Sequence, residues 1–264
     1  MIIDCHLHLP AIGIVKNYKE AKIKLLHDLK QNNIKYAILI PDNVKNSSIG
    51  DMDDCLDLFK KEKKIFLMGT INIFRDPFSH LKKLDQLLKN RKIVAIKIFP
   101  GHDKHFPTDK RLIPIYKLCL KHDAPIVIHT GWNTGHPEVA KYNDPKYIVK
   151  IAKKFPKLKI VIAHYFWPKI EYCYKITRPY KNICFDASGL ADKEVVDATG
   201  RKKIKQILEK TINDSQESVL FGTDYNMCIT KNHIDLIKSL EMNNEIKRKI
   251  FSQNAIKLFK LKLK

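Results

Sequence analysis

The sequence predicts an α/β fold, a (β/α)₈ barrel of the TIM type, from two regularities in its 264 residues. Short β-branched apolar runs recur eight times, and a longer stretch with the apolar spacing of a helix follows each of them. The runs are almost continuously apolar, as parallel strands buried on both faces are. One repeat takes about 31 residues, close to one strand–loop–helix–loop unit, so the repeats predict a single barrel domain over residues 1–264.

The apolar runs are the predicted strands, and the alternative arrangement for them is a doubly wound open sheet. That alternative requires a glycine-rich phosphate-binding turn after the first strand, where this chain continues as His-Leu-His-Leu-Pro. The closed barrel is therefore favoured. In chain order, the predicted strands are Ile2–His8, Tyr36–Ile40, Ile65–Ile71, Val94–Phe99, Ile126–His129, Ile160–His164, Ile183–Ala187 and Val219–Asp224.

Helices are predicted between the strands from the 3.6-residue period and from local start and stop signals. Tyr18–Gln31 and Ser79–Leu88 carry leucines at helical spacing. Thr108 is placed to cap a further helix, and Pro156 is placed to end one at about residue 155. Lysine and glutamate fill the outer faces of these segments.

The charge balance is strongly basic, with 49 Lys and Arg against 28 Asp and Glu and a formal net charge of +21. Only six of the cations are arginine, and they are scattered along the chain. Readers of phosphates and bases rely on the planar fork of arginine, so the lysine excess predicts a solvated surface and argues against a nucleic-acid partner.

The cysteines and the apolar runs bear on where the protein resides. The six cysteines form no Cys-x-x-Cys pair, which predicts reduced thiols in a cytoplasmic protein. No apolar run reaches the length of about 18 residues that a membrane span needs, so no membrane partner is expected.

Metal-competent side chains fall at the carboxyl ends of four predicted strands. His6 and His8 lie two apart on the first strand and so share a face, while His129, His164 and Asp224 close the fifth, sixth and eighth strands. Barrel enzymes place their catalytic groups at this end. Imidazoles with one carboxylate suit a divalent cation, which can activate a bound water or polarise a carbonyl group. The sequence therefore predicts a metal-dependent enzyme.

Six stretches carry a resemblance to a known family, in that family's order from the first strand to the last helix. The sequence resembles the metal-dependent amidohydrolase superfamily, and within it the branch of aminocarboxymuconate-semialdehyde decarboxylase and the resorcylate decarboxylases. The stretches are IIDCHLH (2–8), AIKIFPG (95–101), APIVIHTG (124–131), IVIAH (160–164), LFGTDY (220–225) and IFSQNAIKLF (250–259).

The resemblance implies a role for each residue at the strand ends. His6, His8, His129 and Asp224 match the ligands of one divalent metal ion, with Zn²⁺ expected. Asp224 matches the group that accepts a proton from the attacking water in hydrolytic relatives. His164 matches a histidine that either orients or protonates the water or substrate, or binds a second metal. A homodimer is also implied.

Lys97 on the fourth predicted strand leaves two interpretations open. Alternation points it into the barrel if Ile96 and Ile98 face the helices. Two-metal relatives carry a carboxylated lysine here, so Lys97 could bridge two ions, or it could stay an ammonium group that holds a substrate carboxylate. A single metal is favoured. TatD-type deoxyribonucleases usually have glutamate at this place, so Lys97 argues against a nuclease.

The loops after the fourth to sixth strands are expected to form an aromatic substrate pocket. Tyr165-Phe166-Trp167-Pro168 stands where the decarboxylase branch usually has a glycine-rich run, which indicates a different substrate. The pocket residues predicted are Phe99, Gly101, His102, Trp132, Asn133, Tyr165, Phe166 and Trp167.

Three functions are compatible with these residues. The first is hydrolysis of an amide, ester or lactone bond of a small organic substrate by a metal-activated water. The alternative is non-oxidative decarboxylation of a small aromatic or enoic acid, with proton delivery by His164 or a metal-bound water. The third, suggested by the charge alone, is a nucleic-acid-binding protein or a TatD-like nuclease.

Overall fold

A computed structural model of the chain describes residues 1–75, 77–132 and 136–263, without the side chains of residues 77 and 78. Eight parallel strands pair in sequence order, from β1 next to β2 through to β7 next to β8. This confirms the predicted (β/α)₈ barrel. The strands are β1 (Ile2–Leu7), β2 (Ile34–Leu39), β3 (Ile65–Thr70), β4 (Ala95–Ile98), β5 (Ile126–Ile128), β6 (Ile160–Ile162), β7 (Ile183–Asp186) and β8 (Val219–Leu220).

Backbone contacts between the ends of the sheet close the barrel. The amide of Cys5 donates to the carbonyl of Phe221 at 2.9 Å, and the amide of Asp224 donates to the carbonyl of His6 at 2.8 Å. Leu7 pairs with Tyr225 in an isolated parallel bridge. These contacts bring Asp224, which follows β8, beside the end of β1, as expected for a closed ring of strands.

Helices cover the outside of the barrel, and none of those described is both long and apolar enough to cross a lipid bilayer. The helix predicted over Tyr18–Gln31 has those bounds, and the one predicted before Pro156 ends at Lys154. Thr108 caps no helix, because the carboxylate of Asp109 accepts the amide of Arg111 at the start of a 3₁₀ turn, Lys110–Leu112. The helices are α1 (Tyr18–Gln31), α2 (Met52–Leu58), α3 (Pro77–Lys89), α4 (Ile113–His122), α5 (Pro145–Lys154), α6 (Ile170–Thr177), α7 (Lys193–Thr199), α8 (Arg201–Asp214), α9 (Thr230–Lys238), α10 (Asn244–Arg248) and α11 (Asn254–Phe259).

The buried apolar side chains form an inner and an outer cluster. The outer cluster joins the strands to the helices and includes Ile96 and Ile98 of β4. The inner cluster fills the barrel and includes Ala95 and Phe99, which lie two residues before and two residues after Lys97 and therefore share its face. Lys97 therefore points into the barrel, as alternation predicts. All six cysteines are free thiols, and four of them are buried.

The chain's last helix closes the barrel at the end opposite to the histidines. Ala255, Phe259 and Leu261 join the inner cluster. The side-chain amide of Asn254 donates to the carbonyl of Val219, the first residue of β8, at 2.9 Å. With that end packed, the space for chemistry lies at the carboxyl ends of the strands.

β6 and β8 stop two and four residues before their predicted ends, and the residues left out include the site residues His164 and Asp224. β6 stops at Ile162, because His164, Tyr165 and Phe166 take left-handed backbone angles, with φ of 60°, 56° and 58°. β8 stops at Leu220, and Asp224 also has a positive φ, 59°. Left-handed turns place His164 and Asp224 differently from a continued strand, which would send alternate side chains to opposite faces.

Candidate metal centre

A register shift in β1 sets the direction of the first two histidines. The pairing of β1 with β2 is irregular between Asp4 and Leu7. Cys5 packs in the inner cluster, whereas Leu7 packs in the outer one. His6 and His8, on either side of Leu7, therefore face the barrel mouth.

Four of the predicted site residues meet at the barrel mouth. Potential ligand atoms of His6, His164 and Asp224 all lie within 4.8 Å of one another. His8 joins them, with its Nε2 atom 3.5 Å from Oδ1 of Asp224. The ring centre of His129 lies 4.9 Å from that of His164, next to this group. The structure thus brings the predicted metal ligands into one neighbourhood, and His164 is as close to its centre as they are.

The outer nitrogens of His6 and His8 are held by hydrogen-bond acceptors. Nδ1 of His8 lies 2.9 Å from the carbonyl of Ile40, and Nδ1 of His6 lies 2.8 Å from Oδ2 of Asp186. A carbonyl group and a carboxylate can only accept, so each Nδ1 carries the proton and each Nε2 presents a lone pair towards Asp224. Two neutral imidazoles and a carboxylate, oriented this way, fit a divalent metal ion.

Asp186 and Ser188 belong to the site, although sequence reasoning did not single them out. Oδ1 of Asp186 accepts the amides of His164 and Ser188, both at 3.2 Å, and the Ser188 hydroxyl group. Because that hydroxyl proton is used, Oγ of Ser188 accepts from Nδ1 of His164 at 2.9 Å. His164 therefore also directs an unprotonated Nε2 into the site. The sequence signal that could have identified Asp186 is its position near the carboxyl end of a predicted strand, in Ile-Cys-Phe-Asp-Ala.

The buried environment favours the ligand form of the histidines. Burial is the main reason that the pKa of His8 and that of His164 lie well below the usual imidazole value, and the nearby amine of Lys97 lowers both further. Burial alone would raise the pKa of Asp186, but its pairing with His6 outweighs burial and lowers it. Burial raises the pKa of Asp224. The imidazoles of His8 and His164 are thus kept neutral, as metal binding requires.

Lys97 lies under the cluster and is almost inaccessible, with 1% of its surface exposed. Its Nζ atom is 3.4 Å from Nε2 of His6 and 5.6 Å from the ring centre of Phe99. Burial lowers the pKa of this amine to about 8. The structure thus places an amine beside a predicted metal ligand, where both interpretations of Lys97 require it to be.

Two of the predicted pocket residues, Phe99 and His102, lie beside the mouth. The ring of His102 lies 4.4 Å from that of His129 and 6.0 Å from that of Phe99, measured between centres. Trp132 and Trp167 pack together with 5.8 Å between their ring centres. Gly101 and Phe166 are buried, and Asn133 lies outside the described residues. Phe99 and His102 thus lie beside the site, whereas Trp167 packs in the outer cluster with Trp132 against it.

Tyr165 is a predicted pocket residue whose side chain turns away from the mouth. Its side chain is fully buried in the outer cluster and stacks on Phe185, with ring centres 4.3 Å apart. Its hydroxyl group pairs with that of Thr211 on α8. The left-handed turn after β6 turns this side chain towards the helices, so it packs there rather than lining the pocket.

Comparison with known proteins agrees with the geometry. A model of the amidohydrolase family matches residues 3–261. The chain belongs to this family. No curated protein matches the sequence significantly. The match confirms the resemblance that the six sequence stretches carry.

Three solved structures illustrate how the amidohydrolase barrel is shared. An uncharacterised TIM-barrel protein from Bordetella bronchiseptica is 20% identical, with a TM-score of 0.77 and 98% of each chain covered. The 5-carboxyvanillate decarboxylase of Sphingomonas paucimobilis is 12% identical, with a TM-score of 0.72 and 99% coverage of each chain. The 5-carboxyvanillate decarboxylase of Novosphingobium aromaticivorans, complexed with manganese and a nitrobenzoic acid, is 16% identical, with a TM-score of 0.67 and 99% of this chain and 96% of that one covered. At these identities the likeness establishes the fold alone.

Proposed function

We propose that this amidohydrolase-family protein is a metal-dependent, non-oxidative decarboxylase of a small carboxylic acid. The observation that carries the proposal is the cluster of His6, His164 and Asp224, with ligand atoms within 4.8 Å, at the mouth of a barrel where the rings of Phe99 and His102 lie nearby. The decarboxylases among the similar structures favour this alternative over hydrolysis, which the sequence ranks first.

The donor groups at the barrel mouth fit a divalent metal ion as cofactor. His6, His8, His164 and Asp224 would hold one divalent ion, with His129 beside them, and imidazole-rich sites suit Zn²⁺ and also accept Mn²⁺. A bound cation would supply charge neutralisation for a substrate carboxylate and for the electron pair that carboxyl loss leaves behind.

The chain's own residues then have to deliver one proton to the substrate. Decarboxylation breaks the bond to the carboxyl carbon, leaves the electron pair on the substrate carbon, and needs a proton at that carbon. Burial raises the pKa of Asp224, whose Oδ1 atom lies 3.6 Å from Nε2 of His6 and 3.5 Å from Nε2 of His8. His164 directs an unprotonated Nε2 into the site. One of the four candidate ligands therefore delivers this proton instead of binding the ion, and Asp224 and His164 are the two placed to do so.

Product analysis tests the proposal directly. Protein loaded with Zn²⁺ or Mn²⁺ is offered hydroxybenzoic and enoic acids labelled with ¹³C at the carboxyl group, and labelled carbon dioxide is measured by membrane-inlet mass spectrometry. We expect release that His6→Ala and Asp224→Asn abolish. His122→Ala is the matched control, because that imidazole pairs with Asp85 on the outer surface, at the end of α4.

Parallel assays separate the competing functions. The same preparations are tested on amide, ester and lactone panels, because Asp224 beside the cluster could equally take a proton from an attacking water. Hydrolysis without release of carbon dioxide would overturn the proposal and restore the first prediction. Cleavage of DNA or RNA would support the third. Cytoplasmic location and a homodimer stay predictions, the latter to be checked by sedimentation.

A further inference from the structure

A cavity of about 360 Å³ lies at the end of the barrel opposite to the metal centre. Its walls come from α6, α8 and α11 and from the turns that lead into β7 and β8, and it reaches Ile183 and Phe185 on β7. None of the residues of the metal cluster lines it. Pockets that bind small molecules have volumes of about 300 to 1,000 Å³, so this space is large enough for a ligand of its own.

Aromatic side chains form much of the wall of this cavity. Tyr174, Tyr180 and Phe185 line it, and Tyr174 and Phe185 are buried. The hydroxyl group of Tyr174 on α6 donates to Oδ2 of Asp214 on α8 at 2.8 Å, which holds the ring between the two helices. The guanidinium carbon of Arg178 lies 6.0 Å from the centre of the same ring. The wall therefore offers a planar molecule aromatic contacts with a cation beside them.

The charges around the cavity leave an excess of positive charge. Lys159 and Lys257 each pair with a carboxylate, 2.7 Å away in both cases. Arg178 and Lys181, in the turn between α6 and β7, form no ion pair with any residue that the structure describes. Against these two cations stands only the carboxylate of Asp214, so one positive charge is left over. A ligand with one negative charge would balance it.

We propose that this cavity binds a small planar organic anion, such as an aromatic carboxylate, at a site separate from the metal centre. The aromatic wall covers the ring of the ligand, and Arg178 and Lys181 bind its acidic group at the opening. Barrel enzymes carry out their chemistry at the carboxyl ends of the strands. An anion held at the amino ends is therefore a second ligand and not a substrate in position to react.

Two partly exposed cysteines report on the two ends of the barrel separately. Cys184 lines the cavity, whereas Cys228 lies at the mouth, where its amide donates to the carbonyl of Asp224 at 3.1 Å. Metal-loaded protein is treated with methyl methanethiosulfonate at increasing concentrations of 2-naphthoate, and peptide mass spectrometry measures the modification rate of each cysteine. We expect 2-naphthoate to suppress modification of Cys184, and its neutral analogue 2-naphthamide to require a concentration about tenfold higher or more.

A pair of substitutions tests the role of the two cations. Arg178→Met combined with Lys181→Met should weaken protection of Cys184 by 2-naphthoate by about tenfold and leave protection by 2-naphthamide unchanged. Arg91→Met combined with Lys92→Met is the matched control. It removes the same two charges from the turn between α3 and β4, where both side chains are exposed, and it should behave as wild type.

Several outcomes would overturn the inference. One is that 2-naphthoate protects neither cysteine, or protects Cys228 alone, which would place the acid at the mouth. Another is equal protection of Cys184 by acid and amide, and a third is an unchanged preference in the doubly substituted protein. If modification of Cys184 slows with rising protein concentration in the absence of ligand, a second copy of the chain fills the cavity instead.

Discussion

Nδ1 of His6 lies 2.8 Å from Oδ2 of Asp186, so two side chains 180 positions apart in the chain form a buried pair at the barrel mouth. The same carboxylate accepts the amide of His164 through its other oxygen. One group thus fixes the ring of His6 and the backbone of the turn that carries His164. Outer hydrogen bonds of this kind orient metal-binding imidazoles and raise their basicity.

We expect Asp186→Asn to weaken metal binding by about 10- to 100-fold, because an amide cannot replace the charge that faces His6. Chelator competition measures the affinity, and a melting curve shows whether the variant is folded. Asp197→Asn, which breaks an exposed pair with Lys193, should change neither. A folded Asp186→Asn protein with wild-type affinity would contradict the assigned role.

Ser188→Ala should disturb His164 more than His6. The change removes the oxygen that accepts from Nδ1 of His164 at 2.9 Å and leaves only the carbonyl of residue 188, at 3.4 Å. The neutral ring should then populate both tautomers, which ¹⁵N NMR of the metal-free protein distinguishes. Ser239→Ala, on the outer surface at the end of α9, is the control. A single Nδ1–H tautomer of His164 in Ser188→Ala would show that the hydroxyl group does not set it.

The features that can be predicted from the sequence are those that depend on the periodicity of apolar residues or on where the strands end. The barrel, the bounds of α1 and the inward direction of Lys97 follow from alternation and helical spacing, and His6 and Asp224 are found because strand ends meet at one face. Tertiary hydrogen bonds are not periodic. The hydrogen bond between Ser188 and His164 depends on the left-handed backbone of the turn after β6. No local sequence pattern indicates that turn, so this hydrogen bond could not be predicted.

Tyr165 is a case in which sequence-based prediction fails in the other direction. An aromatic residue in a loop at the barrel mouth is a reasonable pocket residue, yet its side chain packs outwards against the helices. We expect Tyr165→Phe to lower the free energy of unfolding by about 1 kcal/mol, because it removes the hydroxyl group that pairs with Thr211. Metal and ligand affinity should stay as in wild type. His102→Ala, which removes the ring 4.4 Å from that of His129 at the mouth, should instead weaken binding of aromatic acids. A specific loss of ligand affinity in Tyr165→Phe would return this residue to the pocket.

Gly222 lies where the closing segment after β8 approaches β1. A Cβ atom there would come within 2.9 Å of Cβ of His6 and within 3.3 Å of Cβ of Ser188. Both are first side-chain atoms and cannot rotate away, so Gly222→Ala should displace His6 and weaken metal binding by about tenfold. Gly69→Ala is the matched control. Its Cβ atom would meet the flexible ends of Leu84 and Ile93, so it should cost stability and leave metal affinity unchanged. Equal effects of the two changes on metal affinity would contradict the argument.

The buried imidazole of His233 on α9 should make the free energy of unfolding depend on pH. The ring is 1% exposed, Nδ1 donates to the carbonyl of Ile229 at 3.1 Å, and Nε2 accepts the amide of Ala191 at 3.3 Å. The bond that Nε2 accepts needs the neutral ring, whereas a protonated ring could still donate to Ile229. Burial lowers the pKa of His233 to about 4, with Arg201 adding to the effect and the Ile229 hydrogen bond, Asp192 and Asp186 opposing it.

Because this pKa lies below that of the unfolded chain, the unfolded state binds the extra proton between about pH 6.5 and pH 4. The contribution of His233 is complete above pH 6.5 and is lost as the pH falls towards 4, by about 3 kcal/mol in total. Denaturant titrations across this range should show a steeper loss for wild type than for His233→Gln, whose amide group can donate and accept without titrating. His136→Gln changes an exposed imidazole and should follow wild type. Parallel curves for wild type and His233→Gln would mean that His233 titrates normally in the folded protein.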